Sequence, residues 1–143
     1  MSDVSNPIEV YKEVIGDRGT ESLAAQDHKA FLFDKEKGLL VIPVTLAQLK
    51  PGQPKNMQGE YVFQGAYVYN LTLKNGFSLK GKVTHYDTNE TFQKSGEYFS
   101  GGQSDITRSI YINNVLYTLS QSRLQLNDLT SMVTLRVLPF DRQ

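Results

Sequence analysis

A chain of 143 residues with 15 basic and 15 acidic side chains has room for one packed domain, and it offers no net field to hold a polyanion or an anionic membrane surface. At 39% hydrophobic it is too apolar to be disordered, and its one longer apolar run, Leu39 to Val44, is too short to enter a bilayer. With no cysteine, disulfide frameworks, thiolate zinc sites and cysteine nucleophiles are excluded.

Met1 to Pro7 carries neither a basic region nor an apolar stretch, so no secretory signal is read there. From that point strand signals dominate. Ile8 to Ile15 alternates β-branched and polar residues and is predicted as a strand, while Thr20 to Gln26 is predicted as a loop. His28 to Phe33 and Leu39 to Val44 flank Asp34-Lys35-Glu36-Lys37-Gly38, a charged turn that makes them a hairpin. The second arm is apolar on both faces, which predicts a strand covered on both sides.

Thr45 to Gly59, with Pro51, Gly52 and Pro54, is predicted as a long connection. Strands follow at Glu60 to Leu71 and Phe77 to Tyr86 around the turn dipeptide Asn75-Gly76. Asp87 to Asp105, with Gly96, Gly101 and Gly102, is read as loop with a short extended piece at Glu97-Tyr98-Phe99. The last third is a meander: Ile106 to Ile112, Val115 to Ser120, Arg123 to Leu129 and Met132 to Leu138, the first pair joined by Asn113-Asn114.

The chain also repeats itself. Asp/Asn, aliphatic, Ser/Thr recurs as Asp3-Val4-Ser5, Asn70-Leu71-Thr72 and Asp128-Leu129-Thr130, each followed by a strand starting near Ile8, Phe77 or Met132. Matching hairpins, Phe31 to Val44 and Ser109 to Leu119, precede the second and third copies. Units of this size with four strands have the dimensions of propeller blades. The fold class expected is therefore all-β, about two four-stranded antiparallel β-propeller blades, with units at about 8–71 and 77–129 and a terminal strand at 132–138. A β-sandwich also accommodates several antiparallel strands; the repeat favours blades. Two blades alone leave two faces bare, so a partial propeller is expected, with self-association or a protein partner covering the exposed faces.

One resemblance goes with this pattern. Asp27-His28-Lys29-Ala30-Phe31-Leu32-Phe33-Asp34-Lys35-Glu36-Lys37-Gly38-Leu39-Leu40-Val41-Ile42-Pro43-Val44, together with Val14-Ile15-Gly16-Asp17-Arg18-Gly19, Gln64-Gly65-Ala66-Tyr67-Val68-Tyr69-Asn70 and Arg108-Ser109-Ile110-Tyr111-Ile112, resembles the C-terminal part of an uncharacterised family of secreted prokaryotic and archaeal β-propeller domains distantly related to the WD-40 type. The resemblance implies a fold and an extracytoplasmic or cell-surface setting. It supplies no catalytic residue to carry over.

Few residues read as chemistry. Asp27-His28 and His85 with Asp87 are the two histidine and carboxylate constellations, and such groups can ligate a metal or act as bases. No two histidines fall at a ligand spacing, so hydrogen-bonded structural residues are the simpler expectation. No serine lies in a Gly-x-Ser-x-Gly elbow. Most tyrosines sit in strands as packing; Tyr98-Phe99 in the glycine-rich loop is the exception and is read as a contact surface. Asn70-Leu71-Thr72 matches a glycosylation sequon, although a turn explains it as well. A non-enzymatic scaffold or binding module without a cofactor is expected. The alternative is a metal-dependent enzyme domain whose site other blades complete.

Overall fold

A computed structural model describes residues 4–141. Eight strands form two four-stranded antiparallel sheets, each ordered as in the sequence. The first contains β1 (Leu32–Asp34), β2 (Leu39–Gln48), β3 (Glu60–Thr72) and β4 (Gly76–Val83); the second contains β5 (Arg108–Ile112), β6 (Val115–Leu119), β7 (Arg123–Asp128) and β8 (Thr134–Pro139). Among the described residues the one α-helix, α1 (Glu90–Ser95), lies in the connection between the sheets. The two sheets are thus two blades that stack face on face and do not close a ring.

The turns explain the meanders. In the β1–β2 turn the Asp34 carboxylate accepts the Lys37 N–H at 2.9 Å, and Gly38 takes φ +60° where a Cβ would meet the Asn70 side chain at 2.9 Å. Asn113 adopts φ +54° between β5 and β6, a conformation asparagine tolerates better than other side chains. Between β7 and β8, Asp128 accepts from the N–H groups of Thr130 and Ser131 at 3.0 and 2.7 Å. Met132 then takes φ +61°, which is why the last strand begins at Thr134 and not at Met132 as its composition suggested.

Packing uses the two faces of β2 differently. Leu39 and Val41 join Ala66, Val68 and Val83 against Ile106, Leu116 and Leu129, forming the core between the sheets. Leu40 and Val44 join Tyr67 and Tyr69 on the opposite face. Val41, Val68 and Leu116 are fully buried, each worth roughly 1.5–3 kcal/mol over an exposed position. Pro43 sits in the middle of β2 without disrupting it. Residues of its parity face the β1 side, since Thr45 exchanges both backbone bonds with Glu21 there; β1 has already ended at the Leu32–Val41 pair. The missing N–H therefore faces no strand.

Several sequence expectations are corrected. Residues 8–15 form no strand and belong to no sheet: alternation along the chain is not enough, because a strand also needs a partner. Leu23–Ala25 and His28–Ala30 are short 3-10 turns, capped by Ser22 and by Asp27 accepting from the Lys29 N–H at 2.9 Å, so the strand expected from His28 begins only at Leu32. β2 runs on to Gln48 because Glu21 and Thr20 hold Thr45 and Ala47 as a strand would. The segment read as loop with a short extended piece at Glu97-Tyr98-Phe99 contains α1 instead, whose Phe92 is buried against Tyr86 and Phe99, and residues 97–99 join no strand. The sheets also divide the chain differently from the repeat units at 8–71 and 77–129. β4 completes the first sheet, and the second and third tripeptides fall at the end of a blade's third strand, just before the fourth. Of the three tripeptides, Asp3 in the first lies outside the described residues.

Gly65 lies in β3 where a Cβ would stand 2.1 Å from the Val83 carbonyl oxygen of β4. Gly65→Ala is expected to lower stability by roughly 1–3 kcal/mol, since backbone cannot yield as a side chain does. Urea unfolding measures it, and an unchanged midpoint would contradict this packing.

Candidate functional site

The loops at one end of the blade pair enclose a cleft of about 350 Å³, within the size range of small-ligand and side-chain pockets. Its walls come from three places. The turn before β1 supplies Glu21, Ser22 and Leu23; β2 and β3 supply Thr45, Tyr61 and Gln64; the connection into β5 supplies Phe99, Gly101, Asp105 and Thr107. Each is held from behind. Ser22 donates to the Pro43 carbonyl at 2.6 Å, and the Glu21 backbone is fixed against Thr45.

Gln64, 4% exposed, ties the blades together at the base of the cleft. Its Nε2 donates to the Ile106 carbonyl at 3.2 Å and its Oε1 accepts the Ile106 N–H at 2.9 Å. This clamp positions Asp105 and Thr107 on either side. Asp105 accepts from the Tyr86 hydroxyl at 2.6 Å and from the Gly102 N–H at 3.1 Å. Burial, and then the Asp105 carboxylate, push the Tyr86 hydroxyl well above the ordinary tyrosine range. Tyr61 is also raised, by burial first and the Glu21 charge second.

The four histidine and carboxylate residues fall into separate structural networks. His28 is exposed on its 3-10 turn. Asp27 pairs with Arg108 at 2.6 Å; its carboxyl is lowered chiefly by the Lys29 N–H, with Arg108 adding to this. Asp87 pairs with Arg123 at 3.0 Å through both guanidinium nitrogens, which lowers its carboxyl. His85 is 1% exposed and lies between two hydroxyls, Nδ1 at 2.8 Å from Ser120 and Nε2 at 2.9 Å from Thr118. Among the described residues no three histidine or carboxylate groups converge as metal ligands would.

Tyr98 and Phe99, taken together in the sequence, have different roles. Tyr98 is 88% exposed. Phe99 packs on Tyr61, Phe92 and Tyr86 at centroid distances of 5.7, 5.1 and 6.3 Å and forms part of the cleft wall. Sequence inspection missed Tyr61, Gln64, Glu21 and Asp105 as a group. The one available signal was Gln64, a polar residue inside the run Tyr61-Val62-Phe63-Gln64-Gly65-Ala66, where a buried amide must find partners.

Further contacts lock the blades into one body. The Tyr111 hydroxyl of β5 donates to Asp34 of the β1–β2 turn, which lowers the Asp34 carboxyl, and the Lys37 ammonium lies 5.0 Å from the Tyr111 ring centroid. No described helix is long and apolar enough to cross a membrane.

Comparison with known proteins agrees with this architecture. No curated protein and no solved structure matches the chain. A family model described as "Beta propeller domain" matches residues 1–132. Stacked four-stranded meanders, a tripeptide at the end of each blade's third strand and a family match over most of its length show that this chain belongs to the β-propeller domain family.

Proposed function

We propose that the chain is a non-enzymatic binding module whose loop-end cleft receives a basic side chain from a partner protein. The observation that carries the reading is the composition of the cleft: two carboxylates, Glu21 and Asp105, beside the aromatic pair Tyr61 and Phe99, with no lysine or arginine among its lining residues. Carboxylates at an aromatic wall favour a planar cation, which can stack and accept charge-assisted hydrogen bonds together. Tyr98, exposed at the cleft's edge of the loop, adds a surface for the partner's flanking residues.

Against the metal-dependent enzyme, Asp27 and Asp87 are engaged by arginines and His85 by two hydroxyls, so recruiting them would break formed interactions. The extracytoplasmic setting implied by the resemblance is part of this proposal; fractionation of cells producing the native protein tests it.

The direct test is amide chemical-shift titration with a short arginine peptide and its neutral citrulline counterpart. The arginine peptide is expected to shift Gly101, Thr107 and Tyr61, and Glu21→Gln to weaken it several-fold. Equal shifts from both peptides, or none, would refute the charge argument. A companion pair separates binding from folding. Tyr98→Ala is expected to leave stability within about 0.5 kcal/mol, as for exposed positions generally, while Phe99→Ala costs about 2 kcal/mol through lost packing on Tyr61 and Phe92. Thermal unfolding checks both, and equal costs would show that Tyr98 is part of the packed cluster.

A further inference from the structure

The joint between the two sheets carries a second, smaller cleft of about 190 Å³. Leu39, Asn70 and Lys80 of the first sheet line it, with Lys37 from the β1–β2 turn, and Asn114 and Leu129 close it from the second sheet. The β2–β3 ladder separates it from the cleft described above: Thr45 pairs with Gln64 at that cleft and Leu39 pairs with Asn70 at this one. The two have opposite charge. Glu21 and Asp105 line the first without a lysine or arginine, whereas Lys37 and Lys80 line the second without an aspartate or glutamate.

Local structure brings Lys80 to this place. Val68, in the core between the sheets, pairs with Gly81, while the next residue, Tyr69, on the opposite face, pairs with Leu79. Leu79 and Gly81 are two positions apart and would share a face in a regular strand. Lys80 is therefore the extra residue of a β-bulge, a feature that re-aims side chains. Among the described residues neither Lys37 nor Lys80 pairs with a carboxylate. The Lys37 ammonium makes only a long contact, 3.5 Å, to the Asn113 carbonyl, besides lying over the Tyr111 ring. Asn70 is half-buried, and its side-chain amide makes no hydrogen bond among the described residues. Asp128, the acid beside Leu129 in the chain, is occupied: it accepts from the Thr130 and Ser131 N–H groups at 3.0 and 2.7 Å and from the Asn114 amide at 3.0 Å. Two ammonium groups thus share one small cleft without a counter-charge, an arrangement that an anion relieves.

We propose that this cleft binds a phosphate group, as the free ion or as a phosphomonoester. Its volume is below the roughly 300–1,000 Å³ of pockets that hold organic ligands, which suits a single ionic group. Two lysines act as point charges, and no guanidinium fork is present to pair a planar carboxylate in two parallel bonds; a compact, multiply charged oxyanion fits them better. The Asn70 amide supplies a neutral donor beside them. Because both sheets build the site, an occupant adds a tie between the blades at the end away from the Gln64 clamp.

Amide chemical-shift titration at constant ionic strength, with inorganic phosphate and separately with O-phosphoserine, tests the assignment against acetate and chloride. Phosphate is expected to shift Gly38, Asn114 and the Asn70 side-chain amide to saturation, and to raise the thermal midpoint as its concentration increases. Tighter binding of O-phosphoserine than of phosphate identifies a phosphomonoester as the ligand, and equal or weaker binding identifies the free ion. Lys80→Gln, a change at an exposed position, is expected to weaken binding several-fold, and Asn70→Asp, which sets a carboxylate in the cleft, to abolish it. Lys82→Gln is the control, since the Lys82 ammonium lies over the Phe63 and Tyr67 rings at 5.7 and 4.7 Å from their centroids; it is expected to bind as the wild type does. Shifts that never saturate, the same response to acetate or chloride, or equal losses in Lys80→Gln and Lys82→Gln would each overturn the proposal.

Discussion

Lowering the pH from 7 to 4 is expected to destabilise the protein by about 3 kcal/mol through His85 alone. The cause is burial, with the nearby Arg123 charge adding to it; together they lower the imidazole from 6.5 to about 4 in the folded protein. Between these values the unfolded chain holds a proton that the folded chain does not, so stability falls as acid is added and levels off below about 4. A neutral ring suits its surroundings: its two hydrogen-bond partners, the Ser120 and Thr118 hydroxyls, are themselves uncharged and give an imidazolium no counter-charge. The lowered carboxylates Asp27, Asp34, Asp87 and Asp128 work in a different window. Their stabilising effect is present above the ordinary carboxylate pKa and is lost as the pH falls below it, so their loss begins where that of His85 ends. Urea midpoints across pH 4 to 7 for the wild type and for His85→Gln separate the two. The variant is expected to be less stable at pH 7 and flat over the window, and parallel curves would mean that His85 is solvated.

Gln64→Leu is expected to cost about 4 kcal/mol, since it strands both backbone groups of Ile106, a residue 1% exposed, at roughly 1–3 kcal/mol each while adding no compensating bond. Leucine is close enough in size that a cavity contributes little. The consequence extends beyond stability. Ile106 stands between Asp105 and Thr107, so loss of the clamp frees the cleft's wall as well as the joint between blades. Unfolding measurements give the energy, and amide exchange at residues 105–107 should accelerate even in conditions where the variant stays folded. Gln64→Glu is a useful companion: its carboxylate can still accept from the Ile106 N–H but cannot donate to the carbonyl, so it should fall between wild type and leucine only after protonation. A leucine variant as stable as wild type would remove Gln64 from any structural role.

The arrangement of the blades was largely readable from residue patterns. Asn113-Asn114 specified a tight reversal, Asp34 to Gly38 another, and Leu39 to Val44 announced a strand covered on both sides; all three act over a few residues, where turn geometry and pleat period operate. Residues 8–15 show the limit of that information. Their alternation predicted a strand that the structure does not form, because pairing depends on chain that lies elsewhere. Helix α1 escaped for the complementary reason: six residues are too few to show a helical period, and Phe92 holds the helix in place through Tyr86 and Phe99, not through its own propensity.

The cleft was far less visible. Tyr98-Phe99 drew attention as a pair, yet packing on Tyr61 and Phe92 turned Phe99 into a wall and left Tyr98 in solvent. His85 and Asp87 looked like one constellation in the sequence; three-dimensional packing gave His85 to Thr118 and Ser120 and Asp87 to Arg123. Composition, turn residues and the internal repeat were thus sufficient to establish an all-β chain of stacked four-stranded units, since each of those signals is local or repeats along the chain. The functional surface, the blade-joining clamp and the protonation state of the buried histidine depend on residues 19 to 42 positions apart brought within bonding distance. Burial then alters the energies of those groups, which no inspection of neighbours along the chain can foresee.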